Sequence, residues 1–460
     1  MQTRNKFGWF QVLQIISAII ISLLCGAPNA FDKISSKIQN TEHYNDGFIQ
    51  VLTSLEMLGL YFTIPAGFLH DKFGAKIASL IGGVCAVFSF LMATFIQTKA
   101  SITFFFTLAG FGLGTGFICS LGTALKVSPL KYLGINMSLV GTAMSLSMGL
   151  VVSLYSLYDK VSGCSGDSCW KKEKQIQNLN LIKIRKIKIR KIKKKIKKMI
   201  KKMKKKMKKK MIKKMIMKMK MKMIKKMIKE NDNEKEKLLS ICVDEIEIIE
   251  EKKEDKASFK ESLQILKNRL FWIYAISFFT GVGVGVFVIA DVNLIWKSYN
   301  SSFDLTDLIL TLFSVANATG SFLSGVFSDL LKKKNHRREE YLSLIMFISS
   351  VILLILGILT AVSKKGKTID VFRCIFLIYV GFIFGTTLVL IPTMVGESFG
   401  QKNFGIHLGF LQIFSSTAAM AIPSISSGIN NKTGHYFTLM FIFSGLTLIS
   451  SLSLLIKPKA

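Results

Sequence analysis

The sequence predicts an all-α polytopic membrane protein in which two parallel repeats of six helices are joined by a long lysine-rich cytosolic loop. The first observation is composition: 50% of the 460 residues are hydrophobic and 36 are phenylalanine. The apolar residues also occur in long runs, beyond what a soluble core uses. The second observation is a repeated motif, GFLHDKFGAK from Gly67 and GVFSDLLKKKNHRR from Gly325. Each places a glycine, an aspartate and cations after an apolar span, so one helical unit occurs twice.

A second pair of segments supports the repeat. KYLGINMSL begins at Lys131 and KNFGIHLGF begins at Lys402, an offset of 271 residues that is close to the 258 residues between Asp71 and Asp329. The two halves therefore run in parallel order. Parallel repeats of helical spans are typical of transporters whose substrate site lies between the repeats.

Eleven spans are predicted from the apolar runs, since about 20 apolar residues cross a hydrocarbon layer of roughly 30 Å. They lie at residues 8–30, 47–69, 76–97, 101–125, 134–157, 270–296, 304–329, 341–362, 370–394, 404–427 and 434–456. Five spans from a cytosolic start end outside, whereas the second repeat must start in the cytosol. The sixth span of the first repeat is therefore not evident in this sequence.

The positive-inside rule orients the spans. When both termini and both repeated motifs are cytosolic, sixteen Lys and Arg residues of the short loops lie on the cytosolic side and eight lie outside. Each half favours this orientation by itself, although Lys364, Lys365 and Lys367 lie outside. The lysine-rich loop is cytosolic in the same arrangement.

The loop between the halves sets the domain boundaries: an amino-terminal bundle at 1–158, a linker at 159–262 and a carboxyl-terminal bundle at 263–460. Residues 174–229 hold 28 basic residues and no acidic one, in a chain of formal net charge +34. A lysine at the centre of a spanning helix costs about 2.5–3.5 kcal/mol, so this tract is not the sixth span.

We expect the tract to be a disordered cytosolic linker. One alternative is a mispredicted coding segment that has displaced the sixth span, and another is a polybasic surface that binds anionic lipid. The tract has no aromatic residue for base stacking, so nucleic acid is not an expected partner.

The first motif resembles the signature that the major facilitator superfamily carries between its second and third spans. That signature is a glycine, three residues, an aspartate, a cation, one residue, a glycine, one residue and a second cation. Its positions are filled by Gly67, Asp71, Lys72, Gly74 and Lys76. The second motif keeps Gly325 and Asp329, with Arg337 among its cations. LLCGAPNAF, LKNRLFW, SGVFSD and GESFGQKNFG are similar to segments of the nodulin-like branch.

The resemblance implies twelve spans, secondary transport of a small solute, and a conformational gating role for the residues of both motifs. This role makes physical sense, because Gly67 allows close helix approach. Asp71 can accept hydrogen bonds from the amino end of a neighbouring helix or pair with a cation. The alternative for Asp71 and Asp329 is ordinary cytosolic loop charge.

Polar residues inside the spans are candidates for a substrate or proton cavity, since an ionisable side chain in hydrocarbon is costly. Glu56 is the clearest, near the middle of the second predicted span, while Asp291, Asn293 and Asn317 are weaker candidates. Desolvation disfavours the charged form of such a carboxyl group. The alternative for Glu56 is a structural hydrogen bond between helices.

These observations predict a secondary active transporter or facilitator for a small organic solute, such as a monocarboxylate, an amino acid or a similar metabolite. A proton is a candidate co-transported partner, and the lipid bilayer is the other. The alternative is a transport-inactive receptor or scaffold of the same fold. The sequence contains no nucleophile elbow, HExxH motif or P-loop, so neither an enzyme nor a metal or cofactor site is expected.

Overall fold

Long helices make up the described part of the chain, which in this computed structural model comprises residues 8–27, 46–96, 98–161, 262–298, 306–362, 367–433 and 437–456. Within these ranges the secondary structure is helical, with two short 3-10 segments at Leu130–Tyr132 and Leu263–Lys267. The α-helices are α1 (Trp9–Cys25), α2 (Asp46–Tyr61), α3 (Ile64–Phe73), α4 (Ala75–Phe95), α5 (Lys99–Val127), α6 (Leu133–Val161), α7 (Arg269–Ser298), α8 (Thr306–Lys333), α9 (Arg338–Ala361), α10 (Lys367–Phe399), α11 (Phe404–Thr433) and α12 (Phe437–Leu455).

Ten helical runs in the described residues are long and apolar enough to cross a membrane, and α1 is a shorter apolar helix. Together they match the eleven predicted spans one to one, with α2 and α3 forming a single run, Val51–Phe73. The predicted linker, and with it the position of a sixth span, falls almost wholly on residues 162–261, outside the described residues.

The second predicted span differs from the prediction because it is two helices rather than one. α2 ends at Tyr61 and α3 begins at Ile64, with Thr63 at the helix cap and Pro65 in the first turn of α3. Proline lacks a backbone N–H group and clashes with the preceding turn, so it starts a helix but does not continue one. The break lies near the middle of the membrane-spanning run.

A sharp turn separates α3 from α4. Gly74 joins the two helices with φ +81°, and its N–H donates to the His70 carbonyl oxygen at 2.8 Å. This positive φ favours glycine over residues that carry a Cβ atom. The glycine lets two spans meet with one residue between them.

Glycines bring neighbouring helices into backbone contact in both halves. Gly110 and Gly114 of α5 lie against carbonyl oxygens of α2, and a Cβ atom on either would overlap those oxygens. Gly381 and Gly385 of α10 lie in the same way against carbonyl oxygens of α8. Each pair is separated by 271 residues from its counterpart, the offset of the KYLGINMSL and KNFGIHLGF segments. Small residues at such positions permit close helix packing without a hydrophobic driving force.

Reciprocal serine pairs join α9 to α12. Ser343 and Ser451 each donate from Oγ to the other's carbonyl oxygen at 2.8 Å. Ser350 and Ser444 repeat this arrangement seven residues along, also at 2.8 Å. The hydroxyl groups are thereby satisfied between two helices, where hydrocarbon offers no partner.

We predict that Gly385→Ala destabilises the protein, because the added methyl group would overlap the Asn317 carbonyl oxygen. Overpacking of this kind costs about 1–3 kcal/mol. Gly83→Ala in α4 is the matched control, since a Cβ atom there would meet nothing within 4 Å. Its melting temperature should stay level or rise, as alanine is the better helix former. Thermal unfolding of the purified protein measures both, and equal melting temperatures for Gly385→Ala and the parent would contradict the packing argument.

Candidate functional site

The carboxylate of Asp71 binds the amino terminus of α11. Its Oδ1 accepts the N–H of Gly405 at 3.1 Å, and its Oδ2 accepts the N–H of Ile406 at 2.9 Å. The first amides of a helix have no acceptor within the helix, and they carry its partial positive charge. A carboxylate supplied by the other half of the chain therefore fills this position.

Asp329 makes the equivalent contact in the opposite direction. Its two oxygens accept the N–H groups of Gly134 at 3.0 Å and of Ile135 at 2.9 Å, at the start of α6. The two repeated aspartates thus bind the two repeated Gly-Ile pairs crosswise between the halves. The sequence predicted a helix amino terminus as one possible partner for Asp71, but it did not connect the two kinds of repeat with each other.

Gly67 and Gly325 make the two contacts possible by allowing close approach, and Gly74 has a different role. Gly67 lies against the backbone of Gly405, and Gly325 lies against the backbone of Gly134 and the side chain of Ser138, so a Cβ atom at either glycine would overlap its neighbour. A Cβ atom on Gly74, in contrast, would meet nothing within 4 Å. Gly67 and Gly325 provide space, whereas Gly74 provides backbone conformation.

An arginine neutralises Asp329. Arg338 is buried, and its Nη2 lies 2.6 Å from Asp329 Oδ1. The same guanidinium donates to Ser328 Oγ at 2.5 Å and from Nε to Glu397 Oε1 at 3.1 Å. Lys332 reaches Glu397 at 2.6 Å. This end of the interface is therefore a network of ion pairs centred on the guanidinium of Arg338.

Arg337, the cation predicted from the second motif, lies beside this network. It stands at the N-cap position of α9, where its side chain makes no capping hydrogen bond, and it donates from Nε to Glu340 Oε1 at 3.4 Å. One residue rotates the side chain by about 100° around a helix with 3.6 residues per turn. Because α9 begins at Arg338, that arginine, and not its neighbour, contacts the aspartate.

Asp71 has a histidine beside it instead. His70 is fully buried, and its Nδ1 lies 2.7 Å from Asp71 Oδ1. Lys72 places its Nζ over the rings of Phe68 and Phe73, at 5.0 and 5.5 Å from the ring centres, and Lys76 is exposed at the start of α4. The two aspartates therefore share their helix contacts but differ in their nearest basic group.

Hydrogen bonds deeper in the protein also cross between the halves. Thr63, at the break between α2 and α3, donates from Oγ1 to Gln412 Oε1 of α11. Ser145 of α6 donates from Oγ to Asn317 Oδ1 at 2.8 Å, and Ser314 donates to the Ser145 carbonyl oxygen at 3.1 Å. Asn317, a cavity candidate from the sequence, thus lies in a polar contact between α6 and α8.

Glu56 of α2 and Asp291 of α7 are both buried. Glu56 is 1% exposed, and its Oε2 has no hydrogen-bond partner among the described residues. The spanning run Val51–Phe73 has its middle at Phe62, so Glu56 lies six residues, about 9 Å, toward the start of that run. Asp291 is 0% exposed in α7. The side chain of Asn293 falls outside the described residues.

Three residues become candidates only through their contacts: His70, Gln412 and Arg338. The sequence signal for His70 is its position directly before the motif aspartate. The sequence signal for Gln412 is its position seven residues after Gly405. Among the described residues, no group of three or more His, Cys, Asp or Glu side chains is arranged to hold a metal ion.

We predict that Arg338→Gln is much more destabilising than Arg337→Gln. The first change leaves Asp329 and Glu397 without their buried partner, which typically costs about 3–5 kcal/mol. The second removes a partly exposed pair with Glu340, which is worth at most about 1 kcal/mol. Thermal unfolding in one detergent measures both variants, and similar melting temperatures would contradict the role of Arg338.

Comparison with known sequences covers part of the chain. Residues 270–460 match the family model described as Major Facilitator Superfamily. A relative named MFS transporter asaE, from Aspergillus flavus, is 24% identical over 207 residues, which are 44% of this chain and 43% of that protein. An uncharacterized protein from Archaeoglobus fulgidus is 24% identical over 169 residues, 37% of this chain and 72% of its own length. The match to the fungal relative therefore spans less than half of that protein.

Comparison with solved structures covers nearly the whole chain. A variant of the fucose:proton symporter FucP of E. coli is similar with a TM-score of 0.62 and 13% identity, covering 98% of each chain. The proton:xylose symporter XylE, bound to 6-bromo-6-deoxy-D-glucose, gives 0.63 and 13% identity, covering 97% of this chain and 95% of that one. The protein is thus an integral, multi-pass membrane protein with the fold of Major Facilitator Superfamily transporters, and its carboxyl-terminal half matches that family in sequence.

Proposed function

We propose that the protein is a secondary transporter that moves a small organic solute by rocking its two halves around a central site. The observation that carries this proposal is the crossed pair of contacts from Asp71 to Gly405 and Ile406 and from Asp329 to Gly134 and Ile135. Both contacts link one half to the other through two symmetric hydrogen bonds. Rigid-body rocking of the halves between two arrangements needs contacts that are fully formed in one arrangement and broken in the other.

The contacts have a strength suited to repeated opening. A hydrogen bond to a charged group contributes about 1.5–3 kcal/mol net, and water can replace the amide donors when the halves separate. The amides belong to helix ends, so breaking the contact leaves both helices otherwise intact. We interpret Gly67, Asp71, Gly325 and Asp329 as a gate that is closed in this conformation, on the face that the loop charges assign to the cytosol. Lys72, Lys76 and Arg337 then act at the edge of this gate.

The interior contacts support a solute site between the halves. Thr63 and Gln412 meet where the second span is broken, and Ser145 meets Asn317 on the other side of the interface. Broken spans at the middle of a repeat interface are typical positions for substrate groups. Glu56, Asp291, Asn293 and Asn317 remain candidates for this site.

The expected solute remains a small organic molecule such as a monocarboxylate, an amino acid or a similar metabolite. Two solved structures of similar fold are named as proton symporters of fucose and xylose. A proton is therefore a reasonable coupling ion for this protein as well.

Solute flux in reconstituted vesicles tests the proposal. A panel of labelled monocarboxylates, amino acids and sugars is offered to vesicles with and without a pH gradient. Flux that depends on the protein supports transport. Absence of flux for every solute, by a protein shown to be folded, favours the receptor or scaffold alternative.

Asp71→Asn is expected to lower transport at least about fivefold, because the amide can accept one helix N–H but offers a donor to the other, and conformational coupling of this kind is typically worth fivefold or more. The protein should remain folded and in its membrane. Glu340→Gln is the control, since Glu340 is a partly exposed carboxyl group paired within its own helix region. Unchanged flux for Asp71→Asn at equal abundance would remove the gating role of Asp71.

Glu56→Gln is expected to abolish solute accumulation driven by a pH gradient while leaving exchange between loaded vesicles intact. Burial disfavours the charged form of a carboxyl group, and Glu56 Oε2 has no described partner to offset that cost. A neutral amide imitates the permanently protonated acid. Accumulation by Glu56→Gln that equals the parent's would show that Glu56 is a packing residue.

A further inference from the structure

We propose that the start of α7 and the 3-10 segment before it bind an anionic phospholipid of the membrane that the neighbouring helices span. The cations Lys267 and Arg269 hold the phosphate group of the lipid, and Leu263, Leu266 and Trp272 contact its acyl chains. These residues include LKNRLFW, a segment that the proposed transport does not use. The binding holds whether or not the protein transports a solute.

Hydrogen bonds fold the 3-10 segment back onto the first turn of α7. Trp272 donates from Nε1 to the Leu266 carbonyl oxygen at 2.9 Å. Asn268 donates its N–H to the Ile265 carbonyl oxygen at 2.9 Å, and its Oδ1 accepts the N–H of Leu270 at 2.9 Å. Ile265 itself is buried. The surface of this segment is therefore preorganised, and a ligand does not have to order it.

The segment lies where α7 enters the membrane. Arg269 is the first residue of the spanning run Arg269–Val292, and Trp272 lies three residues, about 4.5 Å, further along the helix. Tyr274 donates from its hydroxyl group to Glu339 Oε1 at 2.6 Å. Since Glu339 lies in the first turn of α9, this is the end of the helices that carries the crossed aspartate contacts. The cations thus lie at the level of the lipid headgroups, and the indole ring lies at the level of the upper acyl chains.

Apolar side chains cover the exposed side of the segment. Leu263, Leu266 and Trp272 are 39%, 36% and 48% exposed. The Trp272 ring packs edge to face against Phe271 and Phe414, with ring centres 5.4 and 5.8 Å apart, so its position is fixed. Its N–H group is already bound by Leu266, and the exposed ring therefore offers an apolar surface. Tryptophan rings are enriched where hydrocarbon meets the headgroups.

The two cations of the segment have no acidic partner in the described part of the chain. Lys267 and Arg269 are exposed, and neither forms an ion pair with a described carboxylate. In contrast, Lys332, Arg337 and Arg338 at the same end of the protein are all paired with carboxylates. A single residue separates Lys267 from Arg269, so both can reach one phosphate group. Arginine binds phosphate through two parallel hydrogen bonds.

An anionic phospholipid satisfies both parts of this surface at once. A soluble anion would bind the two cations but would leave the three apolar side chains uncovered. A zwitterionic headgroup brings its own cation and gains less from the basic pair. Each basic residue close to an anionic leaflet strengthens binding by about fivefold, so the two cations predict a marked preference for an anionic headgroup.

Fluorescence quenching at Trp272 tests this directly. The chain has four tryptophans, and Trp9→Phe, Trp170→Phe and Trp296→Phe leave Trp272 as the reporter. The full-length protein is placed in nanodiscs with equal amounts of phosphatidylglycerol and phosphatidylcholine, and the acyl chains of one lipid at a time are brominated. Bromine quenches on contact, so the two samples give the ratio of the two lipids at the site. We expect phosphatidylglycerol to exceed phosphatidylcholine there at least about fivefold.

Charge variants in this background identify the groups responsible. Lys267→Gln combined with Arg269→Gln should bring the ratio close to one. The quenching summed over the two samples should stay unchanged, which shows that the protein is folded and that the ring still faces lipid. Lys126→Gln combined with Lys131→Gln is the matched control, because it removes two exposed cations between α5 and α6. This control should keep the parent ratio.

Two further measurements cover variants that do not fold. If the triple tryptophan variant is unstable, the difference in quenching between the parent and Trp272→Phe gives the same lipid ratio. If the summed quenching changes when Lys267 and Arg269 are replaced together, the two substitutions are made singly. Each should then lower the ratio at least about twofold.

Four results would overturn the proposal. The first is a parent ratio near one. The second is a ratio that survives the loss of Lys267 and Arg269, or that falls equally in the control without Lys126 and Lys131, since net charge alone would then explain it. The third is a ratio that falls when sodium phosphate replaces sodium chloride at equal ionic strength, which would assign the cations to a soluble anion. The fourth is absence of quenching by either lipid, which would show that another protein surface covers Trp272.

Discussion

Two carboxylates held against the amino ends of helices are the constraint on which this architecture depends. Each of Asp71 and Asp329 must reach two backbone amides in the opposite half. A short aspartate side chain can reach both amides only if the two backbones come close, which explains why Gly67 and Gly325 lie at the contacts. Charge, glycine and helix start therefore form a single arrangement that occurs twice.

The sequence predicted the spans well because their signal is local: an apolar run of sufficient length needs no knowledge of its neighbours. The sequence also identified both aspartates and both Gly-Ile segments, but it did not show that they bind each other. A contact between helices of different halves produces no periodic pattern in the sequence. The choice between Arg337 and Arg338 depended on the residue at which α9 begins, and helix ends are the least certain part of a sequence interpretation. Pro65 was a signal for the break at Thr63. Hydropathy alone predicted one continuous span there.

The halves share geometry more than chemistry. Asp329 has a permanent cation beside it, whereas Asp71 has a titratable ring. Glu56 occupies a buried position whose counterpart at the offset of 258 residues is Ser314. Ser314 uses its hydroxyl in a contact between α6 and α8, and the carboxyl oxygen Oε2 of Glu56 has no such bond among the described residues. The amino-terminal half thus holds the buried Glu56 and the His70–Asp71 pair, whereas the carboxyl-terminal half has Ser314 and the Asp329–Arg338 pair at the related positions.

In each contact, the groups that the helix start donates to the aspartate are main-chain N–H groups. Every residue except proline offers such a group, so most substitutions at Ile135 or Ile406 would leave the hydrogen bonds intact. The aspartates have no comparable freedom, because glutamate is longer and asparagine lacks the second acceptor. The two partners of one bond can therefore diverge at very different speeds over evolutionary time. A search for correlated substitutions between the halves would find little at this junction, even though it is where they are joined.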